Sequence, residues 1–226
     1  MTIHTINTIE VSTLCQLKCK YCINPLMKDK GIMTEDIFEQ SLYWLEILCR
    51  RGTQQEVNMN GNGEATLDPN LPRRVRKVKD IVGDRTVELC SNAVGVTREM
   101  VIELLDNGLD KFDLSPHNPY EVRRLVSETH DLKINGIINM GSFTASHNWA
   151  GQLPEQYQIK MTYTLPCLPM IEGRAHILSD GKVVPCCYDR GMGLIGTVFD
   201  DDLLSRPLNK FELCKTCHQI IPGGIL

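Results

Sequence analysis

What this sequence lacks narrows it first. No charged N-terminal region leads into an apolar core and no long apolar run occurs anywhere in the chain, so neither a secretory signal nor a membrane-spanning helix is expected. A basic surplus is missing too: 24 Lys and Arg against 28 Asp and Glu leave a formal charge of -4, which gives no reason to expect a nucleic-acid partner. The one basic run, Arg73-Arg74-Val75-Arg76-Lys77-Val78-Lys79, carries Val75 and Val78 at helical spacing and reads as a solvated helix face before a phosphate-binding patch. There are no internal repeats or low-complexity tracts. Cysteine, by contrast, is plentiful. Ten cysteines in a chain of 226 residues without a signal sequence point to metal binding rather than disulfides, in a reduced, cytoplasmic setting.

The first two-thirds alternates strand-like and helix-like segments, the pattern of βα units around a parallel sheet. Strands are expected at about 6–12, 56–60, 86–91, 111–115 and 134–140. Helices are expected after Thr34, over Leu71 to Val82 with Gly83 as the stop, after Thr97, and after Asn118-Pro119-x-Glu121, where cap, first-position proline and capping acid stand in order. Beyond Gly141 the pattern changes. A polar stretch containing His147 and Trp149 reads as a linker or lid, and the remainder is rich in Gly, Pro and Cys, with a hairpin signal at Ser179-Asp180-Gly181-Lys182. The expected organisation is a barrel-like unit over 1–145, a linker or lid over 146–165 and a small cysteine-rich unit over 166–226.

Eight of the ten cysteines fall into two groups, and Cys49 and Cys90 stand alone. Cys15-x3-Cys19-x2-Cys22 follows the first strand directly, and Cys167, Cys186, Cys187, Cys214 and Cys217 crowd the last quarter. Structural zinc sites and most iron–sulfur clusters are closed by four protein ligands. Three thiolates leave one iron of a four-iron cluster open to a small molecule. The late group offers a complete four-thiolate site with one cysteine to spare. Cys186, after Pro185 at the end of a hairpin arm, is taken as the ligand and Cys187 as its alternative. Structural zinc is the competing reading of that second group.

The early triplet, ending in Tyr21-Cys22, resembles the signature of the radical S-adenosylmethionine (SAM) superfamily. The C-terminal group, with its Asp180-to-Cys186 hairpin and Cys214-x2-Cys217, resembles the twitch subdomain, the shortened form of the SPASM auxiliary-cluster domain. The resemblance implies an α/β fold: a partial, half-open βα barrel of five to six parallel strands, followed by a small β-hairpin and helix subdomain. It implies a [4Fe-4S] cluster on Cys15, Cys19 and Cys22 whose open iron is chelated by SAM. It also implies an auxiliary [4Fe-4S] cluster on Cys167, Cys186, Cys214 and Cys217, and a reductant such as flavodoxin or ferredoxin. Gly61-Asn62-Gly63-Glu64 is similar to the family's "GGE" element, which contacts the SAM amino group. Tyr21 stands where an aromatic lies beside the adenine. Ser91-Asn92 resembles the "TNG" position with Ala93 in place of glycine, and Ser115 ends a strand at the barrel mouth.

For the reaction, the architecture is similar to members of the superfamily that oxidise a carbinol in an aminocyclitol. There a 5′-deoxyadenosyl radical abstracts a hydrogen and a fully ligated auxiliary cluster accepts the remaining electron in a biosynthetic oxidation. Alternatives are maturation of a ribosomal peptide by crosslinking or epimerisation, sugar epimerisation, and, from another class, a zinc-stabilised binding module without catalysis. Peptide maturases often carry a leader-binding domain before the barrel, whereas here strand one opens the sequence. His117, His147 and Cys90 are the candidate catalytic side chains: the histidines as bases, the thiol as the hydrogen donor an epimerase needs. His218, beside Cys217, is expected to support the auxiliary cluster.

Overall fold

The computed structural model describes residues 2–132, 149, 152–153, 168–208 and 211–215. The chain opens with β1 (Thr5–Ile9) and then alternates helix and strand: α1 (Glu35–Arg50), β2 (Val57–Asn58), α2 (Leu71–Val82), β3 (Val87–Ser91), α3 (Arg98–Asp106), β4 (Lys111–Leu114) and α4 (Pro119–Thr129). After a short helix, α5 (Leu168–Ile171), come β5 (Arg174–Ile177), β6 (Lys182–Val184) and β7 (Gly196–Thr197). The seven strands form one open sheet in the order β4-β3-β2-β1-β5-β6-β7. β1 to β5 run parallel, β6 pairs antiparallel to β5, and β7 pairs antiparallel to β6. Among the described residues no helix is long and apolar enough to cross a membrane.

Local rules account for most of the helices. α1 buries Phe38, Leu42, Leu45 and Leu48 against the sheet, and its acidic first turn and terminal Arg50 complement the helix dipole. The Thr97 hydroxyl accepts from Met100 N–H at 3.2 Å to start α3, and Asn118 Oδ1 accepts from Glu121 N–H at 3.4 Å to start α4. Thr34 occupies the N-cap position of α1 but makes no side-chain cap bond.

The basic run departs from the expectation at one position. Arg73 forms a two-point pair with Glu35 at 2.8 and 2.7 Å, and Lys77 pairs with Glu39, so this side of α2 is the solvated, ion-paired face expected. Arg74 turns inward instead. It is 1% exposed, donates to Met33 C=O at 2.6 Å, lies 3.1 Å from the Asp68 carboxylate and stacks over Phe38. An arginine can be buried when its fork finds an anion, a carbonyl and a ring together.

The hairpin at Ser179–Lys182 pairs β5 with β6, and β5 also pairs in parallel with β1. The late segment therefore shares the main core: Ala175, Ile177, Val183, Val198 and Leu203 are buried together with Ile6, Ile9 and Leu45. Trp44 Nε1 of α1 donates to Val198 C=O at 2.7 Å. The expected strand at 134–140, and the boundaries at 145/146 and 165/166, lie outside the described residues.

Candidate active site

The C-terminal ends of β1 to β4 meet around one cavity of about 200 Å³. Its lining takes in all three cysteines of the triplet, Tyr21, the Asn60–Glu64 loop after β2, Cys90 to Asn92 at the end of β3, Ser115 and His117 after β4, and Trp149. Ligand sites in parallel α/β folds open at this end of the strands, where loops can diverge while the sheet stays fixed.

The cysteine loop is tied at its base. Thr13 N–H donates to Gly31 C=O at 2.9 Å and Gly31 N–H returns to the Thr13 hydroxyl at 2.8 Å. Asn24 braces it from inside, with Nδ2 donating to Thr13 C=O and Asn62 C=O, both at 2.8 Å, while Lys30 donates to its Oδ1. The sulfurs receive donors: Asn24 N–H lies 3.4 Å from Cys22 Sγ, and Asn92 Nδ2 lies 3.8 Å from Cys15 Sγ. Burial pushes the Cys15 and Cys22 thiols up, and repulsion among the triplet's own thiolates adds to it. Among the described residues no three His, Cys, Asp or Glu side chains converge on a single-ion site. Three cysteines facing one cavity, two of them with N–H donors at sulfur, form a donor set that a positively charged multi-iron group would satisfy.

The Gly61–Glu64 loop is packed more tightly than a turn requires. A Cβ on Gly61 would lie 2.6 Å from Glu10 Cδ, and one on Gly63 would lie 2.6 Å from Thr13 Cα. The glycines thus let the loop press against Glu10 and the base of the cysteine loop, a closeness within the protein rather than toward a ligand. Glu64 N–H donates to Leu14 C=O at 2.7 Å. The Glu64 carboxylate, 2% exposed, accepts from Asn92 N–H at 2.8 Å and from the Thr66 hydroxyl at 2.8 Å, and its burial pushes its pKa up. Part of its accepting capacity therefore goes to tying the loop to the end of β3. Asn62, 5% exposed, also lines the cavity, and its buried Oδ1 has no hydrogen-bond partner among the described residues. It is an acceptor suited to the amino group of an amino-acid moiety.

At the ends of β3 and β4, Ala93 holds φ 64°, the left-handed conformation that explains a glycine in the family's motif. Ser91 Oγ accepts from Ala93 N–H at 3.0 Å. Cys90 Sγ lies 2.8 Å from Ser115 Oγ, and burial pushes the thiol up to about 11, so it stays protonated at neutral pH. Tyr21 Oη and His117 Nδ1 share a hydrogen bond of 2.9 Å. Burial, followed by a bond to Cys19, pushes the Tyr21 phenol up to about 12, and burial pushes His117 down toward the neutral imidazole. Trp149 Nε1 donates to Tyr21 C=O at 2.8 Å.

Of the second cysteine group, Cys186 and Cys214 are partly buried and Cys187 is exposed. Cys167, Cys217, His218 and His147 lie outside the described residues. Sequence reasoning did not single out Asn24, Asn60 or Glu10 beside the triplet; Asn60, which accepts from Cys90 N–H at 2.8 Å, was passed over as the end of a strand.

The family model for the Radical SAM superfamily matches residues 9–135, more than half of the chain, and the chain belongs to that superfamily. Its cofactors are accordingly SAM and a [4Fe-4S] cluster. A curated relative, GTP 3′,8-cyclase of Chlorobaculum tepidum, is 33% identical over 109 residues, which cover 47% of this chain and 31% of that protein, under a third of its length. Among solved structures, BtrN in complex with AdoMet and 2-DOIA superposes with a TM-score of 0.71 at 19% identity, over 91% of this chain and 85% of the other. Native anSMEcpe with bound AdoMet and Kp18Cys peptide gives 0.59 at 15% identity, over 93% and 81%. At these identities the likeness is one of fold.

Proposed function

We propose that Cys15, Cys19 and Cys22 hold the SAM-binding cluster, and that Tyr21, Gly61, Gly63, Glu64, Ser91, Asn92 and Ser115 form the SAM pocket. The reaction proposed is a two-electron oxidation of a carbinol in a sugar or aminocyclitol. A second cluster on Cys167, Cys186, Cys214 and Cys217 would be the electron acceptor. The observation that carries this reading is the convergence of the triplet, the Gly61–Glu64 loop and the ends of β3 and β4 on one cavity. The fold shared with BtrN, whose structure holds AdoMet and 2-DOIA, supports the choice of substrate class.

When bound, cluster and SAM supply a 5′-deoxyadenosyl radical that can remove a substrate hydrogen atom. The chain's own work is to orient and to shield. The Gly61–Glu64 loop and Asn92 fix the amino-acid end of SAM, and Tyr21 with Trp149 covers the mouth against water. His117, kept neutral by burial and oriented through Nδ1 by Tyr21, can accept the hydroxyl proton. Exposure of Cys187 beside the partly buried Cys186 favours Cys186 as the ligand.

The test is metal and sulfide content after anaerobic reconstitution, then reduction with SAM. About eight irons per chain, as two four-iron clusters require, with 5′-deoxyadenosine released, is the expected result. Zinc alone with SAM intact would refute the reading. Replacing Cys15, Cys19 and Cys22 together with Ala should abolish SAM cleavage and leave one cluster; continued cleavage would overturn the assignment of the first site.

One observation favours a second reading, sugar epimerisation: Cys90 lines the cavity as a protonated thiol, the state a hydrogen-atom donor requires. Cys90→Ala separates the two. An epimerase loses product formation while still cleaving SAM; a dehydrogenase keeps most of its oxidised product.

A further inference from the structure

Glu10 follows β1 directly and is 1% exposed. Its Oε1 accepts from Asn62 N–H at 2.7 Å and from Asn62 Nδ2 at 3.1 Å. Its Oε2 accepts from Ser179 N–H at 3.3 Å. Arg190 Nη1 sits 3.1 and 3.3 Å from the two oxygens. One buried carboxylate thus joins the cavity loop, the turn between β5 and β6, and the loop after Cys186 and Cys187. That last loop is itself shaped around Asp189, fully buried, which accepts from the N–H groups of Gly191, Met192 and Gly193 at 2.7, 2.7 and 2.8 Å. Arg190 is thereby presented to Glu10 by a preformed loop.

A carboxylate only accepts hydrogen bonds, so the Asn62 amide must turn its NH2 toward Glu10. That leaves Oδ1 as the other end of the amide, buried and without a partner among the described residues, on a residue of the cavity wall. Taking Arg190 away would leave the carboxylate charge buried and uncompensated. We propose that Glu10, neutralised by Arg190, is a positioning residue that fixes the Asn62 amide so that Oδ1 accepts from the amino group of SAM. The inference rests on the SAM pocket proposed above and adds a link from that pocket to the loop bearing Cys186.

The experiment compares equilibrium binding of SAM and of 5′-methylthioadenosine, which lacks the amino-acid end, to the reconstituted protein. The variants are Asn62→Gly, Glu10→Gln and the paired Glu10→Gln/Arg190→Gln. Asn62→Gly keeps the backbone N–H that bonds Glu10 and removes the side-chain amide, both its Nδ2 donor to Glu10 and its Oδ1 acceptor. A lost hydrogen bond to a charged group should weaken SAM binding roughly tenfold or more. Binding of 5′-methylthioadenosine should not change. Both Glu10 variants should show the same selective loss, because a glutamine at position 10 no longer dictates which way the Asn62 amide faces. The paired variant retains no buried unpaired charge and keeps the test valid if Glu10→Gln alone does not fold. Equal weakening of both ligands would reduce Glu10 to a structural role, and unchanged SAM binding would overturn the inference outright. Failure of the wild-type protein to bind SAM would refute the pocket itself, an outcome distinct from either.

Discussion

Gly63 shows how little tolerance the cavity wall has. Its missing Cβ would meet Thr13 Cα at 2.6 Å and the Ser12 carbonyl closer still, and neither is a side chain that can swing away. Gly31, at the other end of the cysteine loop, has nothing within 4 Å of its missing Cβ. Gly63→Ala should therefore cost about 1–3 kcal/mol, the range for forcing atoms into a packed site, and Gly31→Ala should be close to neutral. Urea denaturation of the two variants checks this, and a near-neutral Gly63→Ala would show that the loop can retreat from the Ser12–Thr13 backbone. The residues legible in the sequence were those whose meaning is local. The triplet announces itself by spacing, and Gly61-x-Gly63-Glu64 by its place one helix and one strand later. Glu10 and Asn24 carry no such mark. Glu10 gains its role from Arg190, 180 positions away, and Asn24 from Asn62, 38 away. Ordinary polar residues become site residues only when the fold brings remote partners to them.

Elements were readable to the extent that their own ends and faces define them. α2 starts and stops where periodicity and Gly83 put it, and α3 and α4 begin at real side-chain caps. Strands were less exact: the segment expected over 56–60 is a strand only at Val57–Asn58, because the ladder partners in β1 and β3 decide its length. The inward turn of Arg74 is a failure of the same kind. Helical spacing identified a face rich in charge, and only the approach of Asp68, Met33 and Phe38 decided which charge is buried. Arg74→Ala should leave the Asp68 carboxylate without its cation and cost about 3–5 kcal/mol, as for other broken buried pairs. Arg73→Ala, on the solvated side of the same turn, should cost no more than about 1 kcal/mol. A thermal melt of the two variants side by side would expose the difference, and equal losses would mean that the Arg74–Asp68 pair is not what holds this turn.

For the whole molecule, the cavity is assembled from loops at the ends of several strands, so whatever fills it ties those strands together. SAM at a hundredfold excess over its dissociation constant should stabilise the cluster-loaded protein by about 2.7 kcal/mol, seen as a rise in unfolding midpoint under anaerobic conditions. The protein stripped of iron by a chelator should lose most of that response, and an undiminished SAM-dependent shift in the stripped protein would show that the cluster is not part of the SAM site.

The strand order has a further consequence, for the making of the protein. β1 leaves the ribosome long before β5, yet one of its two edges is paired by β5, and Glu10 N–H waits for Ile177 C=O. While the residues between are being synthesised, β2 can dock on one side, but the other side presents an unpaired row of backbone donors and acceptors. An open strand edge is a template for pairing with other chains. The nascent protein is thus most exposed to misassociation in the interval before Arg174–Ile177 emerges, and slowing translation within that stretch would lengthen the exposure.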